Sequence, residues 1–564
     1  MNNYSLDIIR NEIIGNDLAF DTPFGERHML YIDYTASGRG IKIIEDKIQN
    51  ILKSYANTHT EDDYSGKYLT HLLDKAEARI KEIVNAGKNE KIIFTGSGTT
   101  GALKRLQEIL GIYIPPVTLE RINKLHNITK EKEKQILEKK GPVVFIGPYE
   151  HHSNELMWRE SFVEIVVIKL DTNGMIDLKN LVENLKNPAY KNRKKIGSFS
   201  ACSNVTGILT KVYDIAKLCH ENDTLVFFDF AAIAPYKKID MNKDEKSYFD
   251  GIIFSPHKFL GGPGTCGILV FNENIYRKDL PPTTAGGGTV LYVGFKDQDY
   301  FKDIEMREKA GTPPIIQAIK TALVLDLKEK IGINTIQKIE EEYKEYFISK
   351  LKEIENLKLI GNIPSDKKIP IISFNIAHKD RILHPKFVSK LFNDLFGIQS
   401  RAGCMCAGPY GHHLLNIDYN TSLKYKKLIL QGFEGIKPGW VRLNIHYTLN
   451  KDDIDYLIKT IEFIAKYGYL FLEKYGFDMK TAEWKFIGFE ATLPRLSINE
   501  TFNTKKIKLS ELPELRNSYF KQAKKIAMEI IKNIEPTYTI DKKEIEDIKY
   551  FYYYQKTQEK SKLE

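Results

Sequence analysis

Phe254-Ser255-Pro256-His257-Lys258-Phe259-Leu260-Gly261-Gly262-Pro263-Gly264 is the stretch on which the fold turns. It continues the apolar run Ile252-Ile253, so a lysine stands just past a buried strand and just before a series of glycines. Partial desolvation at such a place favours the neutral amine, the form that condenses with a carbonyl to a Schiff base. Ser255 and His257 beside it can donate hydrogen bonds to a phosphate. Alone, the motif favours a solvated lysine after a strand, so its surroundings decide.

Upstream, Leu225-Val226-Phe227-Phe228-Asp229 is an apolar strand that ends on a carboxylate. Open α/β sheets place ligands at the carboxyl ends of their strands. There Asp229 could keep a pyridine nitrogen protonated, with a helix N-cap or a structural ion pair as the alternative. Further upstream, Thr95-Gly96-Ser97-Gly98-Thr99-Thr100-Gly101 joins a strand to a helix. Its small residues let backbone N–H groups approach a phosphate at the positive helix end. No Gly-Lys-Ser/Thr follows, which excludes a P-loop.

The wider pattern alternates short β-branched runs with helical stretches. Strands are expected at 91–95, 142–146, 163–170, 196–201, 224–230, 252–255 and 267–271, with helices at 100–110 and 214–221. Strands separated by helices imply βαβ crossovers and a mostly parallel, covered sheet. Residues 114–141 interrupt the rhythm with Pro115-Pro116 and a Lys/Glu-rich run, and read as a helical surface insertion. Residues 281–289, rich in Gly, Pro and Thr, read as a loop beside a site or between domains. A helix from 315 to about 330 leads into a second alternating region, with strands near 370–376 and 441–446. Residues 476–564 are Lys/Glu/Tyr-rich, hold no catalytic constellation, and are expected to fray at 555–564.

Composition excludes several classes. At 564 residues the chain needs more than one core. The net charge of +9 comes from scattered lysines, a solvated surface rather than a nucleic-acid footprint. No apolar run is long enough to span a bilayer. Met1-Asn2-Asn3-Tyr4-Ser5-Leu6-Asp7 has an early acid and no apolar core, so export is not expected. Five cysteines (Cys202, Cys219, Cys266, Cys404, Cys406) without a C-x-x-C frame point to reduced thiols in a cytoplasm. His412 and His413 lack further ligands at metal-site spacing, so no metal is expected. Tyr550-Phe551-Tyr552-Tyr553-Tyr554 lacks a basic groove and reads as packing or a sticky end.

Seven motifs then fall in one order: Glu150-His151-His152-Ser153-Asn154, Ser203-Asn204-Val205-Thr206-Gly207, Asp229, Ser255-Pro256-His257-Lys258, Ala310-Gly311-Thr312-Pro313, Arg401-Ala402-Gly403-Cys404-Met405-Cys406 and Val441-Arg442-Leu443. Over roughly residues 28–470 this resembles the class V aminotransferases, pyridoxal-5′-phosphate (PLP) enzymes of fold type I, and especially their cysteine desulfurase and selenocysteine lyase branch. The resemblance implies an α/β fold: a large domain with a mainly parallel seven-stranded sheet and a smaller α+β C-terminal domain. The expected domains are an N-terminal segment (1–30) packing with the small domain, the PLP domain (31–300), the small domain (301–470) and a helical appendage (471–564).

The resemblance also implies roles. Lys258 would carry the cofactor and move the substrate's Cα proton, and His151 would stack on the ring and assist proton transfer. Asn204 would sit by the ring hydroxyl and the substrate carboxylate, and Asp229 would pair with the ring nitrogen. Gly98, Thr99, Thr100, Ser255 and His257 would hold the phosphate. Thr289, in Gly286-Gly287-Gly288-Thr289, would reach a neighbouring subunit's phosphate in a homodimer. Arg442 would clamp the substrate α-carboxylate bidentately, with a structural ion pair on the small domain as the alternative. Cys406 would take sulfur from L-cysteine as a persulfide, leaving L-alanine. Arg401 and a cationic neighbourhood would favour its thiolate, and Cys404 or an acceptor protein would receive the sulfur. The alternatives are that both cysteines are buried small residues, or that the chain is a transaminase or another PLP lyase or epimerase. Two departures stand out: Ala232 occupies the usual Gln position after Asp229, and Lys309 follows a Glu308 displaced by one.

Overall fold

The computed structural model describes residues 5–554 apart from 59, 61, 362, 492–495, 500–503 and 534–537. Met1–Tyr4 and the expected frayed end at 555–564 lie outside the described residues. The chain divides into two compact units. The first comprises Met1–Ile14, Tyr34–Lys338 and Asp366–Ile369; the second comprises Gly15–Asp33, Ile339–Ser365 and Pro370–Glu564.

The first unit is built on a seven-stranded sheet of β1 (Glu90–Thr95), β2 (Val143–Ile146), β3 (Glu164–Val167), β4 (Lys195–Ser200), β5 (Thr224–Asp229), β6 (Gly251–Phe254) and β7 (Gly267–Asn272). Their spatial order is β1-β7-β6-β5-β4-β2-β3. Neighbours from β3 to β6 run parallel, while β7 is antiparallel to both β6 and β1. β1 is therefore parallel to the rest. Strands covered on both faces read as unbroken apolar runs, and β2 and β6 are buried at every residue. The mainly parallel sheet matches the expected fold class.

Six carboxyl ends consequently share one edge. Past β1, helix α1 (Gly98–Leu110) starts at the Gly/Thr turn. The expected insertion is a pair of exposed helices, α2 (Pro116–Leu125) and α3 (Lys130–Lys140). Helix α4 (His152–Arg159) starts after β2 with His151 as its N-cap. β3 is shorter than expected because the chain leaves the sheet edge after Val167, and Leu170 pairs with Ile176 instead.

The second unit holds an antiparallel sheet of β8 (Leu357–Leu359), β9 (Ile371–His378), β10 (Arg401–Gly403) and β11 (Trp440–Asn444), ordered β8-β9-β11-β10. Its core joins this sheet to the helices Pro385–Phe396 and Lys451–Tyr467 and to residues of the C-terminal region. Phe551 and Tyr553 are buried in that core, and Ile382 bridges Phe551. The Tyr/Phe run is packing. Among the described residues no helix is long and apolar enough to cross a membrane, and no His/Cys/Asp/Glu group could hold a metal ion.

Candidate active site

Main-chain bonds pin the lysine loop before any side chain acts. Lys258 N–H donates to Ser255 C=O (3.1 Å), Gly38 N–H to His257 C=O (2.8 Å) and Gly261 N–H to Arg39 C=O (2.7 Å). A Cβ on Gly38 would lie 1.8 Å from the Phe259 carbonyl oxygen, so only glycine admits this approach. Lys258 is half-buried at the end of the short turn Pro256–Lys258.

The phosphate candidates converge beside it. Buried Ser255 accepts from Thr99 N–H through its Oγ (2.8 Å), and that Oγ lies 2.8 Å from Thr99 Oγ1. Gly98 adopts φ +58, and a Cβ there would meet Ser255 Oγ at 2.8 Å and approach His257. Hydroxyls and N–H groups thus gather at the start of α1, where the helix dipole favours an anion. Burial and the neighbouring Lys258 hold His257 down at about 4, so its ring is neutral and donates one N–H.

Thr100 Oγ1 lies 2.7 Å from Ser153 Oγ, and this ties α1 to the His151 turn. His151 Nδ1 accepts from Ser153 N–H (3.1 Å). In the neutral ring the proton therefore sits on Nε2. Asn204 is buried in a tight turn after β4, where Ser203 Oγ accepts from Val205 and Thr206 N–H and Gly207 N–H returns to Ser203 C=O.

Asp229 is buried at the end of β5 and accepts from Ala231 N–H (2.8 Å). Burial pushes its carboxyl up to about 6, opposed by that N–H and by Lys258. A cation at this carboxylate would offset the burial penalty, as a protonated pyridine nitrogen would. Glu150 is a second buried carboxyl. It accepts from Ser200 N–H, Ser200 Oγ–H (2.6 Å), Asn154 Nδ2 (2.6 Å) and Gly147 N–H (3.0 Å), and burial pushes it up to about 7.

Both carboxyls are raised by folding. Their stabilising share is therefore full below the ordinary carboxylate range and is lost as pH rises through about 6 and 7. Either alone would withdraw on the order of 3 kcal/mol across that window. The cofactor-free protein is expected to melt at a lower temperature at pH 8 than at pH 5, with Asp229→Asn removing part of the fall. A wild-type melting temperature indifferent to pH would contradict the strain assigned to these groups.

In the second unit β10 pairs with β11, with Arg401 directly opposite Arg442 and Gly403 opposite Trp440. The turn after β10 closes with Ala407 N–H donating to Cys404 C=O (3.2 Å). Its central residues, Met405 and Cys406, have φ 52 and 55. Two left-handed residues make a type I′ turn, normally the province of Asn and Gly. Each costs on the order of 1 kcal/mol here, strain of the kind that collects at functional sites. Cys404 and Cys406 are exposed while Cys202, Cys219 and Cys266 are buried, so the buried-residue alternative does not hold for the pair.

Arg442 is buried and donates from Nη2 to Asp33 Oδ1 (3.0 Å), and Asp33 Oδ2 accepts from Arg401 Nε (2.8 Å). The ion pair raised as an alternative for Arg442 is thus present. Thr289 is buried, and its hydroxyl donates to Gly286 C=O (2.7 Å) within its own loop. The displaced Glu308 anchors residues 281–289 instead, accepting from Tyr276 OH (2.5 Å) and Thr283 N–H (3.0 Å). Ala232 is buried and adds no polar group after Asp229. His412 is engaged with Gly408 C=O and Ser422.

Glu150, Ser153, Asp33 and Glu308 were not singled out as site residues in the sequence. Glu150 and Ser153 stand in the His151 motif and were within reach. Asp33 lies 409 residues from Arg442, beyond any local spacing.

A family model described as aminotransferase class-V matches residues 30–111 and 124–457. A probable cysteine desulfurase of Halalkalibacterium halodurans is 27% identical over 386 residues, 68% of this chain and 84% of that protein. One from Staphylococcus aureus is 26% identical over 414 residues, 72% and 90% of the two chains. Among solved structures, the apo cysteine desulfurase of Thermococcus onnurineus NA1 has a TM-score of 0.61 at 23% identity, covering 78% of this chain and 95% of that one. Escherichia coli CsdA, a cysteine desulfurase, also has a TM-score of 0.61, at 18% identity, covering 82% and 98%. These structures share the fold.

Proposed function

Because the chain belongs to the aminotransferase class-V family, we propose that it is a PLP-dependent cysteine desulfurase, converting L-cysteine to L-alanine with a persulfide on Cys406. The observation that carries this reading is the exposed Cys406 thiol, held on a strained type I′ turn at the end of β10. Structural cysteines are buried and relaxed, as the other three are; a thiol kept exposed at a conformational cost suits a nucleophile.

When bound, PLP supplies an electron sink for negative charge at the substrate's Cα. Thr99, Ser255, neutral His257 and the start of α1 would hold its phosphate, and Asp229 its ring nitrogen. Lys258 would hold the cofactor covalently and shuttle the Cα proton. His151, with its proton on Nε2, would donate toward the ring or substrate, and Asn204 and Arg442 would each take part in binding the substrate carboxylate. The Cys406 thiolate then forms an S–S bond to the substrate sulfur as the Cβ–S bond breaks. The released electron pair stays with the carbon, which takes a proton and leaves as the methyl group of alanine.

The test is incubation with L-cysteine and a reductant, measuring alanine and sulfide together. Equal amounts, dependent on Cys406, are expected; sulfide release that stalls without added thiol would call for an acceptor protein or Cys404. Neither product from cofactor-loaded protein would overturn desulfuration in favour of transamination or another PLP lyase or epimerase reaction.

A homodimer is part of the proposal. The hairpin Val290–Val293/Gln298–Tyr300 follows the Gly286–Thr289 loop and presents Leu291, Tyr292, Val293 and Phe295, all more than 60% exposed. Adjacent apolar side chains on a two-stranded edge mark an association surface. Sedimentation should give a dimer that Phe295→Asp weakens; a monomeric wild type would refute it.

A further inference from the structure

We propose that Asp33 is a positioning residue for the substrate's α-carboxylate, holding Arg442 through one oxygen and Arg401 through the other. The inference rests on the assignment of Arg442 to that carboxylate.

The sheet register creates the need. Arg401 and Arg442 stand directly opposite each other on β10 and β11, and like charges so placed repel. The Arg442 side chain is 4% exposed and that of Asp33 11%, against 53% for Arg401. A buried guanidinium requires an anionic partner. Asp33 supplies it at 3.0 Å from Arg442 Nη2 and 2.8 Å from Arg401 Nε.

Asp33 itself is fixed through the main chain. Ile32 N–H donates to Gln399 C=O (3.1 Å) and Asn444 N–H to Ile32 C=O (3.0 Å), so the residue before it is stitched to both flanking segments. Tyr31 OH donates to Asp33 C=O (3.1 Å). The backbone that carries the carboxylate is therefore held on both sides.

Two guanidiniums share one carboxylate, so these three groups carry one net positive charge. Burial lowers Arg442 from its ordinary value, Arg401 adds to that fall, and Asp33 and the nearby Cys406 oppose it. Asp33 thus aims Arg442 while also engaging Arg401.

The experiment compares holoenzyme of wild type, Asp33→Asn and Arg442→Ala with L-cysteine and with cysteamine, which lacks the carboxylate. The readouts are KM and kcat for L-cysteine, and for cysteamine the change in cofactor absorbance on binding. Asp33→Asn should raise the L-cysteine KM at least about tenfold, the worth of one charge-assisted hydrogen bond. The fall in kcat/KM should lie mainly in KM, and cysteamine should bind both proteins alike. An unchanged KM for L-cysteine, or equal losses for both compounds, overturns the proposal. A KM unchanged in Arg442→Ala would instead mean that the Arg442 assignment fails, whereas a KM raised there but not in Asp33→Asn removes Asp33 alone. If Asp33→Asn does not accumulate folded, Asp33→Glu keeps the charge one methylene too far out, and its KM must also rise.

Discussion

Lys258→Ala is expected to abolish turnover, lowering kcat at least about 10³-fold, the scale of a lost positioned base and nucleophile. The fold should survive, because the loop is held by main-chain bonds from Gly38, Lys258 and Gly261 that alanine keeps. Removing the ammonium has a second signature. Lys258 lowers both Asp229 and His257, so in the variant the Asp229 carboxyl should rise further above about 6, and His257 should climb from about 4 towards its ordinary range. Nuclear magnetic resonance titration of the His257 ring would read this directly. Turnover near the wild-type level, or a His257 titration that does not move, would remove Lys258 from the centre assigned to it.

The difference between what was legible in the sequence and what was not follows physical range. β2, β5 and β6 are buried on both faces, so composition alone marks them as strands. His151 and Lys258 follow β2 and β6 and Asp229 ends β5, and parallel strands bring those ends to one edge. The antiparallel turn of β7 was less legible. A return strand needs only a short connection rather than a crossover helix, and local periodicity is blind to direction. The pairing of Asp33 with Arg401 and Arg442 was hidden because a β register between distant segments creates it. Glu308 shows the same limit: one position out of the familiar pattern, its carboxylate anchors the 281–289 loop through Tyr276 and Thr283. The Tyr550–Tyr554 run was readable as apolar but not placed, since only the folded second unit offers Ile382 as the partner of Phe551.

Cys406→Ser separates the two halves of the chemistry. Sulfide and alanine formation should both fall at least about 10³-fold, because a serine hydroxyl stays protonated where a thiol yields a thiolate. Lys258, Asp229 and His151 belong to the first unit and are untouched. Exchange of the substrate's Cα proton with deuterium from solvent should therefore continue in the variant. Serine at φ 55 is as strained as cysteine, so stability should hardly change. Cys406→Gly removes the left-handed penalty and should gain on the order of 1 kcal/mol in unfolding while losing sulfur transfer equally. A protein stabilised and inactivated by the same substitution is what a functionally strained turn predicts. Retained sulfide with retained exchange would mean that sulfur leaves without a persulfide on Cys406. Loss of exchange together with sulfide would mean that the substitution acts through Cα-proton removal rather than through the thiol.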